Sequence, residues 1–266
     1  MHSLRKLLKN DNGTLPYRNG RTLVIGPNAD IIPTGGGSGF VTPYSVVSLY
    51  DGMVQLKGGR QIELLSDSIL YKDMSQQIYT DGSFTQNGFK GEYYNTRNLT
   101  GELFQAAIEP AIDHAWKYGA PFDGMPVDQF SARWTGVYKA DKDGTVKFKL
   151  AGDDGYRLFV NDKLITGDWG NHSFSTRSAF MQVSAGEIYR LRIEYFDNVG
   201  EATVSFQAGM TDEERLASSL KHARTVIVCA GFNSSTEGEG FDRPFALSYG
   251  QEYLINKVAS LHENVA

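Results

Sequence analysis

The pattern of hydrophobic and polar positions changes character twice along the chain. Residues 1 to about 65, and again the residues after about 210, combine short apolar runs with segments of helical periodicity. Between about 88 and 209, apolar positions instead recur at every second residue, with turn residues between the runs. Period-two alternation indicates antiparallel strands, whereas apolar runs next to amphipathic helices indicate parallel strands. The pattern therefore predicts an all-β unit between two α/β segments.

The first α/β segment contains two predicted strands and one predicted helix. TLVIG (Thr22 to Gly26) and QIELL (Gln61 to Leu65) are the strand candidates, and SVVSLYDGMVQL (Ser45 to Leu56) is the helix candidate. A glycine-rich loop, TGGGSG (Thr34 to Gly39), follows the first strand. This order is typical of a βαβ unit.

The second α/β segment also alternates predicted helices with a predicted strand. TDEERLASSLKHA has helical character, with Thr211 as the predicted N-cap and acidic residues in the first turn. The apolar run TVIVCAG (Thr225 to Gly231) predicts a buried strand, and GQEYLINKVASLH (Gly250 to His262) predicts another helix. Cys229 lies inside the apolar run, which favours a packed small hydrophobe over a nucleophile or metal ligand.

An all-β unit inside an α/β unit is best explained as an insertion into a host loop. We expect a partial αβα sandwich interrupted by an antiparallel β-sandwich, with the host in residues 1–87 and 210–266 and the insert in residues 88–209. The host has about three predicted strands, fewer than a typical doubly wound sheet. We therefore expect a fragment that is truncated at both ends.

Composition narrows the class of partner. The chain has 266 residues and a net charge of −5, with no concentrated basic patch, which argues against a nucleic-acid partner. No apolar run is long enough to predict a signal peptide or a membrane span, so no membrane partner is expected and the compartment stays open. The five histidines show no metal-ligand spacing.

The stretch TEGEGFDRP (Thr236 to Pro244) is the first candidate for chemistry. It places carboxylates among glycines after a predicted strand, where open α/β sheets bind ligands. Most acidic, glycine-rich loops are nevertheless solvated turns, so both interpretations stay open on the residues alone. The TGGGSG loop, with Gly36, Gly37 and Ser38 at its centre, lacks the lysine of a phosphate loop. It is either a tight turn beside a ligand cleft or a surface loop.

Several short motifs carry a resemblance to known families. LLKNDNGTLP, RTLVIGPNAD, GGGSG, ARTVIVCAG and EGEGFDRPFALSYGQEYLI resemble the carboxyl-side α/β sandwich domain of glycoside hydrolase family three, the β-glucosidase and β-xylosidase family. GFKGEYYNTRNLTGELF, FSARWTGVYKADKDGTVKFKLAGDDGYRLFVNDKLI and AGEIYRLRIEYFDNVGEATVSF resemble the protective-antigen-type (PA-fourteen) β-sandwich, which some members of that family carry at this place. Together the two resemblances cover nearly the whole chain.

The glycosidase resemblance implies a role for the acidic loop. In that family a general acid/base Glu lies on a loop of the sandwich domain, and the Asp nucleophile lies on a preceding barrel domain that this chain lacks. Glu239 matches the acid/base best, with Glu237 as the alternative. Asp242 and Arg243 would form an ion pair that shapes the loop. The implied substrate is a short β-linked oligosaccharide or an aryl glycoside, and the chain alone is expected to be inactive.

The insert offers two further candidate sites. Asp153 and Asp154 are adjacent in AGDDGYRLFVND, and lectin-like relatives of the PA-fourteen domain bind calcium through such a pair. A structural turn is the favoured alternative, since calcium needs six to eight oxygen ligands, so no cofactor is expected. Phe122 and Phe130 lie in a long irregular stretch and are candidates to close over a substrate; the alternative is that they pack on their own sandwich. The three tryptophans could stack on sugar faces, but buried core positions are the favoured interpretation.

Three functions are consistent with these observations. The first is part of a β-glycoside hydrolase. The second is a carbohydrate-binding module in which the insert recognises glycans, and the third is a structural insert without sugar affinity.

Overall fold

The structure is a computed structural model that describes Leu15, residues 20–34, residues 41–233, Leu247 and residues 250–266. Its helices are short, and none in the described residues is long and apolar enough to cross a membrane. Before the long alternating region the elements are β1 (Thr22–Ile25), α1 (Leu49–Lys57), β2 (Ile62–Leu65), α2 (Asp67–Leu70), β3 (Tyr71–Asp73) and β4 (Ile78–Tyr79), with 3-10 turns at Gly59–Gln61 and Ser75–Gln77.

The alternating region forms ten strands and is followed by two helices and one further strand. These elements are β5 (Phe89–Tyr94), β6 (Leu103–Glu109), β7 (Asp113–Lys117), β8 (Ser131–Lys139), β9 (Gly144–Asp153), β10 (Tyr156–Val160), β11 (Lys163–Asp168), β12 (Ser175–Val183), β13 (Ile188–Phe196), β14 (Ala202–Thr211), α3 (Glu213–His222), β15 (Thr225–Val228) and α4 (Gln251–Leu261).

The α/β segments form one parallel sheet with the strand order β15-β1-β2. All four residues of β1 are buried, as expected for the central strand of a covered sheet. On one face Leu23 and Ile25 pack with residues of α3 and α4, and on the other Val24 packs with Met53 of α1. Helices on both faces of the sheet confirm the predicted partial αβα sandwich.

Two helix starts differ from the prediction. α1 begins at Leu49 rather than near Ser45, because Ser48 is its N-cap and forms a reciprocal capping box with Asp51. α3 is capped by Asp212, whose side chain accepts from the Arg215 backbone N–H at 3.1 Å. Thr211 is therefore not the N-cap, since it is the last residue of β14.

The remaining strands form two antiparallel sheets that enclose one core. One sheet has the order β11-β10-β13-β8-β5-β6 with β4 beside β8, and the other has the order β12-β9-β14-β3 with β7 beside β14. Trp134, Tyr138 and Phe148 are at most 1% exposed between the sheets. The predicted antiparallel β-sandwich is confirmed.

The sandwich is joined to the parallel sheet by paired strands. β3 follows α2 directly and pairs with the end of β14, in the register Asp73 with Gly209 and Tyr71 with Thr211. Only Asp212 separates β14 from α3, and its backbone N–H donates to the Leu70 carbonyl at 2.8 Å. Strands that precede residue 88 thus take part in both sheets of the sandwich, and the two junctions lie side by side.

Candidate functional site

Most of the residues predicted for the glycosidase site lie outside the described part of the chain. These are Glu237, Glu239, Asp242, Arg243, Gly36, Gly37 and Ser38. The residues that flank them are described at the carboxyl ends of β1 and β15 and at the start of α4. The geometry of these flanks defines where the acidic loop leaves the sheet and where it returns.

The segments that follow β1 and β15 stay in contact beyond the sheet. The Cys229 N–H donates to the Ile25 carbonyl at 2.7 Å, and the Asn28 N–H donates to the Cys229 carbonyl at 3.2 Å. Further along, the Asn233 side-chain amide donates to the Asn28 side-chain carbonyl at 2.9 Å. Gly26 is required here, because its φ is +116° and a Cβ would lie 2.7 Å from the Cys229 oxygen. Both segments therefore lie together at the edge where α/β sheets bind ligands.

Gln251 joins the two ends of the acidic connection. The Gly231 N–H donates to Gln251 Oε1 at 2.6 Å, and Gln251 Nε2 donates to the Gly231 carbonyl at 2.8 Å. The glutamine is 6% exposed, so water competes little for these bonds. The connection that contains Glu239 thus begins and ends at one point of the sheet edge.

Cys229 does not provide a nucleophile at this edge. Its side chain packs beside the cluster of Val24 and Met53. Burial raises the pKa of the thiol to about 11, so the thiolate is scarce near neutral pH. This environment agrees with the prediction that Cys229 packs as a small hydrophobic residue.

Asp153 and Asp154 lie where β9 turns into β10, and their carboxylates hold neighbouring loops. Asp154 accepts from the backbone N–H groups of His172 at 2.9 Å and Asn198 at 2.8 Å, and Asp153 accepts from the Phe174 N–H at 3.1 Å. Burial and the charge of Asp154 raise the pKa of Asp153 to about 6. These contacts support the structural-turn interpretation.

A third carboxylate, Asp197, lies near this pair and is fully buried. Neither of its oxygens has a hydrogen-bond partner of good geometry among the described residues. Burial, followed by the charges of Asp154 and Asp128, raises the pKa of Asp197 to about 7, and the Gln129 backbone N–H opposes the rise. Nothing in the sequence pattern singled out this residue, because its environment depends on loops distant in the chain.

The fit of this cluster to calcium is incomplete. Within the described ranges, no group of three or more His, Cys, Asp or Glu side chains is arranged to share one metal ion. Both Asp154 oxygens already accept a backbone hydrogen bond, so part of their capacity to bind a cation is used. A cation would nevertheless offset the burial and the neighbouring charges that raise the pKa values of Asp153 and Asp197.

Phe122 and Phe130 pack on the sandwich. The Phe130 side chain is 0% exposed, and its ring lies 5.4 Å from the Trp116 ring, centroid to centroid. Phe122 is half-buried, with its ring 4.8 Å from that of Tyr93 in an edge-on arrangement. Phe130 therefore offers no surface to a ligand in this structure. Both rings pack on their own sandwich, which was the alternative interpretation of this stretch.

A cationic and aromatic surface on the outer face of the seven-stranded sheet was not predicted. Glu194, whose side chain is 2% exposed, forms ion pairs with Arg133 at 3.3 Å, Arg157 at 2.7 Å and Arg192. Burial alone would raise the pKa of Glu194, but Arg157 and Arg192 outweigh burial and lower it. The Arg157 guanidinium lies 3.9 Å from the ring centre of Trp169. The alternation in YRLRIEYF was the available signal for this polar face.

The tryptophans divide into two environments. Trp134 is fully buried and donates from Nε1 to Glu109 at 3.1 Å, and Trp116 packs against the same core. Trp169 is 38% exposed, so the expectation that all three are core residues is wrong for Trp169.

Comparison with known proteins identifies the sandwich. The model of the PA14 domain family matches residues 85–220, half of the chain. The chain belongs to the PA14 domain family. A relative of the PA14 domain is the anti-sigma-I factor RsgI3 of Acetivibrio thermocellus, which is 30% identical over 131 residues; the match covers 49% of this chain and 20% of that protein.

Other relatives extend beyond the PA14 domain to both flanks. The probable beta-glucosidase H of Neosartorya fischeri is 28% identical, over 96% of this chain and 34% of that protein. The solved beta-glucosidase of Kluyveromyces marxianus in complex with glucose is 24% identical, with a TM-score of 0.48, over 97% of this chain and 34% of that one. The chain thus spans about a third of the length of these curated β-glucosidase relatives. The relatives confirm the resemblance to β-glucosidases with an inserted PA14 domain.

Proposed function

We propose that this chain is part of a retaining β-glycoside hydrolase that acts on short β-linked oligosaccharides or aryl glycosides. The observation that carries the proposal is the match to β-glucosidases over nearly the whole chain, which includes both α/β flanks and the PA14 domain in the same order. A PA14 domain alone would not require flanks of this kind. The flanks also form the sheet edge at which Gln251 holds the acidic connection.

Glu239 is proposed as the general acid/base, and an aspartate from a separate barrel domain as the nucleophile. In a retaining mechanism the nucleophile attacks the sugar while the acid, about 5 Å away, protonates the leaving oxygen. The same carboxylate then activates water for the second step. Gly238 and Gly240 would let the loop approach the sugar, Asp242 and Arg243 would shape it, and the turn at Gly36, Gly37 and Ser38 would line the cleft.

Substitution of the acid tests this assignment in the longer protein that includes the barrel. Glu239→Gln is expected to lower kcat for a disaccharide by about 10² to 10⁴-fold. The loss should be smaller for an aryl glycoside with an activated leaving group, because that group departs without protonation by an acid. Added azide should restore turnover of this aryl glycoside, because azide attacks the glycosyl-enzyme without a general base.

Two matched variants complete this test. Glu252→Gln, an exposed position on α4, should leave turnover unchanged. A large loss in Glu237→Gln but not in Glu239→Gln would transfer the role to Glu237, and no loss in either variant would refute the proposed function.

The chain by itself is expected to have no glycosidase activity. Without a nucleophile, no residue would trap the oxocarbenium-like centre. Incubation of the purified chain with an aryl β-glucoside should release no more product than buffer alone, and turnover well above that level would contradict the role of the barrel.

The PA14 domain is proposed to narrow the substrate cleft and thereby to favour short substrates over long polymers. Its junctions with the host lie beside the sheet whose edge begins the acidic connection. We assign this role to the domain as a whole, since Phe130 is enclosed in its core. Removal of the domain from the longer protein should increase relative activity on long chains, and an unchanged length preference would contradict the role.

Carbohydrate binding by the PA14 domain is the second candidate function. The match to RsgI3 is confined to about half of this chain, which indicates that such a domain also occurs apart from these flanks. Trp169 presents a partly exposed ring that could stack on a sugar face. A glycan screen of the chain against Trp169→Ala tests this: binding that depends on Trp169 supports a binding module, and no binding supports a structural brace.

A further inference from the structure

The PA14 domain contacts the host at the first turn of α4. The Phe180 ring, on β12, stacks on the Tyr253 ring of α4 with 4.7 Å between centroids and 20° between planes. A Cβ on Gly250 would lie 1.9 Å from Phe180 Cε2. The ring is therefore seated directly against the backbone of the residue that precedes the helix.

Polar contacts accompany this aromatic contact. The Thr145 hydroxyl, on β9, lies 3.1 Å from the Tyr253 hydroxyl. Lys257 of α4 forms an ion pair with Glu213 of α3 at 3.3 Å, and Thr145 donates to the other Glu213 oxygen at 3.5 Å. The start of α4 is thus held by the sandwich and by α3 together.

Within the described part of the chain, α4 has no N-cap side chain at this end. Gly250 is the N-cap residue of α4, with φ at +93°, and it provides no side-chain hydrogen bond to the first turn. The first N–H groups of a helix need partners, and a side-chain cap normally supplies one and fixes the helix start. The tertiary contacts above therefore help to fix the start of α4, and the Phe180 ring covers Gly250.

Gln251 connects this contact to the sheet edge. It follows Gly250 directly and forms the two hydrogen bonds with the Gly231 backbone. A shift of the first turn of α4 would move the Gln251 amide away from Gly231. The contacts from Phe180 through Gly250 and Gln251 to Gly231 therefore form one continuous series.

We propose that Phe180 of the PA14 domain is a positioning residue for the sheet edge: it fixes the first turn of α4 so that Gln251 holds Gly231. In this proposal Phe180 acts through these contacts and not on the substrate. The consequence for catalysis rests on the proposed function, since Gly231 and Gly250 flank the connection that contains Glu239.

Hydrogen exchange of the Gly231 amide in this chain measures the positioning directly. Loss of a paired aromatic contact is worth about 0.5–1.5 kcal/mol, so Phe180→Ala should speed exchange at Gly231 about 2- to 10-fold. Amides of β13 in the sandwich core should be unaffected. Phe180→Leu should restore part of the protection. Phe174→Ala, an aromatic truncation just before β12 at a 46% exposed site, is the matched control and should have no effect.

A double-variant cycle tests whether the ring and Gly250 act together. Gly250→Ala should speed exchange at Gly231 because the new methyl group collides with the Phe180 ring. In the Phe180→Ala background the collision is absent and only the cost of the positive φ remains. The combined effect should therefore be several-fold smaller than the product of the single effects. A multiplicative result, or unchanged exchange in Phe180→Ala, would overturn the proposal.

Kinetics of the longer protein separate this proposal from the proposed function. Phe180→Ala should lower kcat for a disaccharide several-fold with KM little changed, and Phe180→Leu should recover part of the loss. If Glu239→Gln and Glu237→Gln both retain full activity while exchange at Gly231 follows the pattern above, the proposed function fails and the positioning role stands. If kcat is unchanged in Phe180→Ala while Glu239→Gln is inactive, the catalytic consequence of positioning is refuted.

Discussion

The two regions of the molecule bury their cores in different ways. The PA14 sandwich encloses one large cluster between its own two sheets, around Trp134, Tyr138 and Phe148. The parallel sheet instead packs two smaller clusters, one on each face of β1, against helices from widely separated parts of the chain. Burial of apolar area supplies most of the stability of a fold. We therefore expect the sandwich to be the more stable region and the parallel sheet to depend more on individual contacts.

Limited proteolysis of the chain tests this difference most directly. The sandwich with its β3 and β4 strands, roughly residues 71–211, should stay intact while the chain on either side is trimmed, because its core, which includes Met74 and Ile78, lies between these strands. Equal cleavage rates inside and outside the sandwich would refute the comparison.

Trp134→Ala should produce the largest loss of stability. Removal of a fully buried tryptophan costs about 3–5 kcal/mol, and it also leaves Glu109 without one hydrogen-bond donor. Urea unfolding followed by a probe in the sandwich measures the loss. Trp169→Ala, at a 38% exposed position, is the control, and an equal loss in the two variants would contradict the assignment of the core.

Glu194→Gln should destabilise the sandwich by about 1–3 kcal/mol, since three partly exposed arginines lose their shared carboxylate. Because the folded state lowers the pKa of Glu194, its contribution is present above the unfolded pKa of about 4.3 and is lost as the pH falls below it. The difference between the variant and the native chain should narrow at acid pH. Glu92→Gln removes an ion pair with Arg133 at 3.6 Å, and the Glu92 side chain is 41% exposed. This variant should therefore lose less stability than Glu194→Gln.

Asp197→Asn should increase the stability of the sandwich, in contrast to the loss expected for Glu194→Gln. The folded state raises the pKa of Asp197 to about 7, so the native chain loses stability as the pH rises from about 4 through 7. The variant lacks this loss and should be more stable by about 1–2 kcal/mol at pH 8, since part of the gain is offset by an unpaired buried amide.

Thermal unfolding at pH 5 and pH 8 measures this effect. Asp162→Asn, at a 78% exposed carboxylate, should be neutral at both pH values. Destabilisation by Asp197→Asn at pH 8, together with a rise of Tm when calcium is added to the native chain, would favour a cation site over the structural turn.

Ser48→Ala should give the smallest effect, confined to the parallel-sheet region. Loss of the capping box should cost about 1 kcal/mol and should speed hydrogen exchange in α1. Ser83→Ala, which removes an exposed hydroxyl bonded to Asp81, is the control outside α1. Equal exchange of the α1 amides in the two variants would show that the cap does not determine the helix start.

The architecture was predictable from local pattern, because strand and helix periodicity follow directly from which face is buried. The strands at Thr22–Ile25 and Ile62–Leu65 and the alternation of the sandwich were found in this way. The start of α1 was missed because the capping box at Ser48 outweighs the apolar pattern before it. Thr211 was assigned to a helix because the pairing of its strand with β3 joins residues far apart in the chain.

The site was less predictable than the fold. Three features depend on contacts between residues far apart in the chain, which a short stretch of sequence cannot show. They are the hydrogen bonds of Gln251 to Gly231, the burial of Asp197 and the packing of Phe180 against Gly250. Phe130 was proposed as a ligand contact because an irregular stretch gives no periodicity from which to infer burial. The role of the acidic loop was proposed from its motif, and both that role and Glu239 stay predictions.

The pairing of β3 with the end of β14 has a consequence for how such an insertion is accommodated. The cost of closing a loop depends on the distance between its ends, and here antiparallel hydrogen bonds hold the ends in adjacent strands. For the host chain, the cost of closing this connection is therefore similar to that of a short hairpin turn, although the whole sandwich lies between the two strands. A transplant of the PA14 domain into another protein should accordingly include the β3 and β14 stem, since a cut inside it would convert a tight turn into a long, flexible tether.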